Sequence, residues 1–318
     1  MAHEMTPGGQ VTFEEFMRRA LYDPERGYYS RRITGVGKRG DFTTTPMLSE
    51  APAKAIAEWA ARAMKETGCR DLMEIGPGEG RLAAAVLKHL PRLVRWRTRL
   101  HLVETSLPLA EHQKQLLGHK ARWHRTPSEA LAACGGKAVI YSNELVDAFP
   151  VRRFQKTPDG WREIAVSLEP GGMARESLLS PAPLPDSSGF AENHPDGQCI
   201  EVHESYRRWL EDWLPLWKAG RMLTIDYGAE AGALYHRRPR GTVRAYLFQQ
   251  RLEGPEIYQN IGRQDLTADV NFSDLMAWSR PWAVEQKLAT FGEFLGRHAG
   301  DLPADTGEAF LVLDQKRG

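Results

Sequence analysis

The chain is 318 residues long, room for one sizeable core and a second, smaller lobe. With 42% hydrophobic and 26% charged residues it has the make-up of an ordinary globular protein, which excludes disorder or a fibrous repeat along its whole length. Its 42 basic and 41 acidic residues nearly cancel, so a nucleic-acid partner finds no electrostatic support beyond what a local basic patch would offer. Cys69, Cys134 and Cys199 are isolated and odd in number, which gives neither a disulfide framework nor a zinc-ligand spacing; no metal and a reducing compartment are expected. Met1 to Gln10 carries no apolar or arginine-rich leader, and no apolar run reaches the roughly 18 residues of a membrane span. The expectation is a cytoplasmic protein without membrane insertion, or one of the mitochondrial matrix if a targeting segment has been removed. Nothing in the sequence fixes the oligomeric state.

In chain order, Thr12-Phe13-Glu14-Glu15 has the form of a capping box, and Phe13, Phe16, Met17, Ala20 and Leu21 share one face of a short helix. Residues 23–27 and 35–40 are rich in turn formers, and Pro52 to Met64 reads as an alanine-rich helix. Residues 1–68 are therefore expected to form an N-terminal helical appendage or lid. From Asp71 short apolar strands alternate with helical patterns: a strand over Leu72 to Ile75, a helix from Arg81 to Leu90 halted by Pro91, and a strand over Leu100 to Glu104. A helix capped by Ser106 follows, with Pro108 in its first turn, then strands over Ala138 to Ser142 and Arg221 to Asp226. That alternation predicts an α/β protein with a doubly wound, Rossmann-like parallel sheet, its core drawn from residues 69–150 and 219–318. Between the last two strands lies an inserted lobe, residues 151–218. Val151 to Gln155 and Trp161 to Leu168 flank the turn Pro158-Asp159-Gly160 and should form a β-hairpin. Ser180 to Gly197 reads as a mobile loop, and Glu204 to Lys218 as a helix whose Trp209, Trp213 and Trp217 form a packing stripe. Phe310 to Leu313 is expected to rejoin the sheet as a final strand.

Chemistry concentrates where strands end. Glu74-Ile75-Gly76-Pro77-Gly78-Glu79-Gly80 lies directly between a strand and a helix, where glycines let the backbone turn tightly and meet a ligand without a Cβ in the way. A dinucleotide fingerprint would need its third glycine at Arg81, and a pyrophosphate disfavours the carboxylates of Glu74 and Glu79. S-adenosylmethionine carries an ammonium and a sulfonium and no phosphate, which suits an acidic glycine loop. Glu104, ending the second strand, can accept both hydroxyls of an adenosine ribose. Asn143-Glu144-Leu145-Val146-Asp147 follows the next core strand at the edge where such sheets bind ligands, with a helix cap by Asn143 as the plain structural alternative. Asp226-Tyr227-Gly228 ends the strand after that and is either a turn or part of the substrate site. No G-x-S-x-G elbow is present, the glycines from Gly35 to Gly40 lack Walker spacing, and His112 and His119 read as surface residues.

Several segments together resemble one family, the MidA-like methyltransferases, whose mitochondrial members are complex I assembly factors that methylate an arginine of a complex I subunit. The carriers are Asp23-Pro24 with Gly27-Tyr28-Tyr29, then Gly37 with Gly40-Asp41-Phe42-Thr43-Thr44 and Pro46, then the glycine loop. Val103-Glu104-Thr105-Ser106, Asn143-Glu144 with Asp147-Ala148 and Pro150-Val151, and Asp226-Tyr227-Gly228 follow. Gly241-Thr242 with Tyr246, and Asp265-Leu266-Thr267 with Val270-Asn271-Phe272, complete the set. Met47, Ala85 and Gln249 stand where the family commonly has other residues.

The resemblance implies a class I methyltransferase sheet, S-adenosyl-L-methionine as cofactor, and a protein substrate methylated on arginine. Glu74, Gly76, Gly78, Gly80, Glu104 and Asn143 are the expected cofactor residues, and Glu144 and Asp147 the expected catalytic pair. Asp41, Thr43, Thr44, Asp226 and Tyr227 are expected at the substrate or lid. A non-catalytic cofactor-binding scaffold and a small-molecule methyltransferase remain the alternatives.

Overall fold

The computed structural model describes residues 9–31, 50–168, 174–248, 250–300 and 310–318. The chain divides into two compact units, each assembled from three separate stretches. The larger comprises residues 43–145, 209–228 and 275–318, and the smaller residues 1–42, 146–208 and 229–274.

The sheet of the larger unit uses β1 (Asp71–Ile75), β2 (Arg99–Val103), β3 (Ala121–His124), β4 (Val139–Asn143), β5 (Gly220–Ala229), β6 (Glu285–Thr290) and β7 (Phe310–Arg317). Their spatial order is β6-β7-β5-β4-β1-β2-β3. From β3 to β5 every neighbour runs parallel, while β7 is antiparallel to both β5 and β6. The strand order reverses between β1 and β4, the switch point at which doubly wound sheets bind ligands. All five residues of β1 are buried, because both of its faces are covered; its two carboxylates, Asp71 and Glu74, are therefore held inside the fold with Leu72, Met73 and Ile75. The helices Ala51–Thr67, Arg81–His89 and Phe291–Ala299 contribute Ile56, Trp59, Val86, Phe291 and Phe294 to the core around Leu72, Tyr141 and Val312.

The smaller unit holds the expected hairpin, Arg152–Thr157 paired with Gly160–Leu168 and closed between Thr157 and Gly160. A second small sheet aligns Gln250–Leu252, Arg244–Leu247 and Asp265–Thr267. The first helix, Phe13–Tyr22, packs all five of its predicted face residues into the core of this unit with Val166, Ala245 and Tyr258. Thr12 caps it by accepting the Glu15 N–H at 3.3 Å.

Several local expectations change. Ala121–His124 is an additional strand, hidden from pattern reading because it is a half-exposed sheet edge, and the helix Pro127–Ala133 follows it. The tryptophan helix spans Glu204–Trp213 and stops there, because Pro215 cannot continue its hydrogen bonding. Trp217 lies beyond a 3₁₀ turn and donates its indole N–H to Ala138 O at 3.0 Å. Ser106 precedes its helix without a side-chain cap bond. The stretch from Ser180 to Gly197 is tied down: Ser187 Oγ and Ser188 Oγ each donate to the Asp274 carboxylate at 2.6 Å, and Ser188 N–H donates at 2.7 Å. The grouping also differs from the expected division. Residues 51–67 form a helix of the larger unit's core rather than an appendage, and residues 229–274 belong to the smaller unit.

Candidate active site

The glycine loop leaves β1 at Gly76 and enters the helix Arg81–His89 through Gly80. Gly76, Gly78 and Gly80 have φ of 70°, 53° and 77°, backbone that favours glycine. At Gly76 a Cβ would lie 2.7 Å from Leu145 Cδ1, so the loop is pressed by the protein itself. At Gly78 a Cβ would meet nothing within 4 Å among the described residues. Gly78 is therefore bare toward open space, the position at which a ligand can approach the main chain.

Two carboxylates stand beside this loop. Glu74 of β1 is buried, accepts the Tyr141 hydroxyl at 2.8 Å, and is pushed up to about 8 by its burial. Its partner follows from register, since Glu74 and Tyr141 are paired neighbours on parallel β1 and β4. Glu104, one residue past β2, accepts the Ser106 N–H at 2.8 Å and the Gln113 side-chain amide at 3.2 Å, and burial raises its pKa as well. A cation beside either carboxylate would favour its ionised form.

Gln113 is a site residue that sequence reasoning missed. It is fully buried, donates to Gly78 O at 2.7 Å as well as to Glu104, and accepts the Trp123 indole N–H at 3.0 Å. One amide thus joins the glycine loop, the β2 end and β3. The available signal was a polar residue on the buried face of Leu107–Leu117, in line with Leu109, Ala110 and Leu117.

Asn143 ends β4, and its side-chain amide donates to Glu144 Oε1 at 3.1 Å. No helix starts here, so Asn143 is not a helix cap. Glu144 has φ of 50°, unusual for a residue with a side chain and typical of strain held at functional positions. The neighbouring strand enforces this backbone: Glu144 N–H donates to Ile225 O at 2.9 Å, and Leu145 N–H donates to Asp226 Oδ2 at 3.1 Å. Asp226 is fully buried and also accepts the Tyr227 N–H at 2.9 Å. Its carboxylate thereby positions the segment carrying Glu144, while Tyr227 packs against Phe310 with ring centroids 3.8 Å apart.

Asp147 falls in the smaller unit, since the chain passes from one unit to the other after Leu145. It is buried, accepts the Thr267 hydroxyl at 2.8 Å, and its pKa is raised by burial. Asp265 accepts the Tyr29 hydroxyl at 3.1 Å and is pushed well above the usual carboxylate range by burial and by Asp147. Asp41, Thr43, Thr44, Met47 and Gln249 lie outside the described residues. Ala85 sits in the helix after the glycine loop and packs on the core.

Asp71, His101 and Cys134 bring an oxygen, a nitrogen and a sulfur within 4.8 Å of one another. Arg99 forks onto both Asp71 oxygens, His101 Nε2 meets Oδ1 at 2.9 Å, and burial pushes the Cys134 thiol up to about 12. Asp71 is thus already neutralised by hydrogen-bonded partners, and the thiol stays protonated, which suits an ion-pair network better than metal ligation.

The open face at Gly78, the Glu74 carboxyl that a cation would ionise, and Glu104 at a strand end fit an adenosyl ligand with a positively charged amino-acid portion. Comparison with known proteins agrees. The human "Protein arginine methyltransferase NDUFAF7, mitochondrial" is 27% identical over 314 residues, covering 86% of this chain and 67% of the relative. The Caenorhabditis elegans homologue of that name is 27% identical over 300 residues, covering 84% and 68%. A superfamily member from Burkholderia thailandensis, crystallised with S-adenosyl-homocysteine, superposes with a TM-score of 0.83 at 27% identity, covering 98% of this chain and 88% of that one. The family model described as "Putative S-adenosyl-L-methionine-dependent methyltransferase" matches residues 55–288, well over half of the sequence, and the chain belongs to this methyltransferase family.

Proposed function

We propose that this S-adenosylmethionine-dependent methyltransferase acts on a protein, with an arginine side chain as acceptor. The observation that carries the acceptor class is likeness to relatives named as protein arginine methyltransferases along 84–86% of the chain. The cofactor supplies an electrophilic methyl group on sulfur. On this reading Gly78 gives its amino-acid portion access to the main chain, while Gly76 and Gly80 supply the turns that shape the loop around it. Glu74 offsets its positive charge, Glu104 accepts its ribose hydroxyls, and Asn143 holds Glu144 in place.

A guanidinium is protonated at any ordinary pH, so its acceptor nitrogen becomes nucleophilic only when carboxylates localise the charge on the other two. Glu144, fixed in a left-handed backbone at the carboxyl end of β4, is the proposed principal carboxylate, with Asp147 as the second candidate. Asp41, Thr43 and Thr44 keep their proposed lid role. For Asp226 and Tyr227 the contacts support a positioning role at the substrate site.

Among the described residues no helix is long and apolar enough to cross a membrane. The curated relatives quoted above are mitochondrial, which gives the cytoplasmic expectation no support. Three free, buried thiols favour a reducing compartment, and we assign the chain to one. The test of function is incubation with labelled S-adenosylmethionine and fractionated lysate, then hydrolysis of the labelled protein. Label recovered as methylarginine supports the reading; label in another residue, or only in small molecules, overturns it.

A further inference from the structure

The near-neutral whole conceals a concentrated patch. Arg92, Arg95, Arg97 and Arg99 fall within eight residues, and no carboxylate occurs between Pro91 and Arg99. Arg92–Arg97 is a short helix without a single buried residue. On it Leu93 is 78% and Trp96 82% exposed, the two most exposed large apolar side chains among the described residues. Three residues apart, they share one helix face. Arg95 Nη1 donates to the backbone O of Lys88 at 3.0 Å, while the Lys88 ammonium is itself paired with Glu50 at 2.8 Å and adds no free charge. Arg99 is held by Asp71, whereas Arg92 and Arg97 make no ion pair among the described residues.

A solvated charge run explains the arginines but not an indole and a leucine left bare between them. We infer that this helix is a docking surface for an anionic lipid bilayer. Charge complementarity and side-chain chemistry select that occupant. Arginines attract anionic headgroups, tryptophan prefers the boundary between headgroups and acyl chains, and leucine gains by entering the acyl region. A protein partner would have to bring a pocket shaped to two convex side chains, whereas a fluid bilayer adapts to them. A nucleic acid would use the arginines and stack on Trp96 but leave Leu93 without a role.

Position makes the surface compatible with catalysis. The helix leads directly into the start of β2, and the glycine loop leaves the end of β1, its parallel neighbour. The patch and the cofactor loop therefore lie at opposite ends of the same strands. This inference does not depend on the identity of the methyl acceptor.

The test is co-sedimentation of the full chain with vesicles of phosphatidylcholine alone or mixed with phosphatidylglycerol, at low and high salt. Parallel arms offer polyglutamate and double-stranded RNA. The expected result is binding to the anionic vesicles only, weakened by salt. Arg92→Gln/Arg97→Gln should weaken it about fivefold per arginine, and Leu93→Ser/Trp96→Ser should abolish it. All four residues are exposed and outside the cofactor site, so cofactor binding should be unchanged and confirms folding. Equal sedimentation of parent and variants, absence of binding to anionic vesicles, or tighter binding of polyglutamate or RNA than of vesicles overturns the inference.

Discussion

Both units bury carboxylates, and the comparison turns on what those carboxylates meet. In the larger unit Glu74 has a tyrosine hydroxyl, and Glu104 has a backbone N–H and an amide, all of them neutral donors. In the smaller unit Glu201 meets Arg153 at 3.3 Å and also accepts Thr242 N–H and Oγ1 at 2.9 and 3.0 Å. Asp269 there is held by Arg244 and Arg238. Burial costs a carboxylate its hydration in either place. Where a guanidinium compensates, the group is architectural. At Glu74 and Glu104 only neutral donors do, which leaves room for a positively charged ligand to compensate them. At Asp226 and Asp274, by contrast, the neutral donors are the chain segments that the carboxylate fixes in place.

The largest expected effect tests the architectural half. Arg153 is buried against Glu201, Glu176, Tyr258 and the ring of Phe13, so Arg153→Met would strand Glu201 and cost about 3–5 kcal/mol. Urea unfolding measures this, and a cost below ~1 kcal/mol would make the pair dispensable. Gly78→Val should weaken cofactor binding by about a hundredfold or more, ~2.7 kcal/mol, because it fills the one bare position of the loop. Calorimetric titration reads the affinity, and circular dichroism checks that the fold persists. Unchanged affinity would move the cofactor away from this loop.

Glu144→Gln keeps size and removes charge, and should slow single-turnover methyl transfer roughly a hundredfold at unchanged cofactor affinity. Poor cofactor binding by this variant would make Glu144 a cofactor ligand instead. The remaining expectation is a pH dependence. With its pKa pushed up to about 8 by burial, Glu74 holds a proton at neutral pH that a bound cation would displace. Cofactor affinity should therefore rise with pH up to about 8 and level off above it, and Glu74→Gln should lack this rise. The sign for stability is opposite. A carboxyl protonated in the folded chain and ionised in the unfolded one makes the ligand-free fold less stable as pH rises from 4.5 toward about 8. Thermal melts of parent and Glu74→Gln across that range measure the difference.

The larger unit was the more legible because its signals are local. A strand, a glycine loop and a helix lie in sequence, so Gly76 to Gly80 and the ends of β2 and β4 could be placed from spacing. Gln113 could not, because its task depends on Gly78 and Glu104 meeting it in space, 35 and 9 residues away. The smaller unit shows the same limit more severely. Gly241-Thr242 was visible only as part of a resemblance. Its physical reason is Glu201: a Cβ on Gly241 would lie 2.0 Å from Glu201 Oε1, and Thr242 could then not present its N–H to the same carboxylate. Thr267 likewise answers to Asp147, and Tyr29 to Asp265, across 120 and 236 residues. The carboxylates were readable as residues but their partners were not, and the partners decide which of them are free to meet a ligand.

The antiparallel strand β7 has a consequence for synthesis. It lies between β5 and β6, so an interior position of the sheet is filled by residues 310–317, which leave the ribosome after every other strand of that sheet. Asp314 on it binds Arg221 of β5 at 3.0–3.1 Å and accepts the Trp59 indole N–H at 3.1 Å, contacts that span 93 and 255 residues. Until Phe310–Arg317 has emerged, β5 and β6 each expose an unpaired edge, and such edges invite pairing between chains. The core thus closes only after translation has passed Arg317, and nascent chains stalled before Phe310 should depend on chaperones to stay unaggregated.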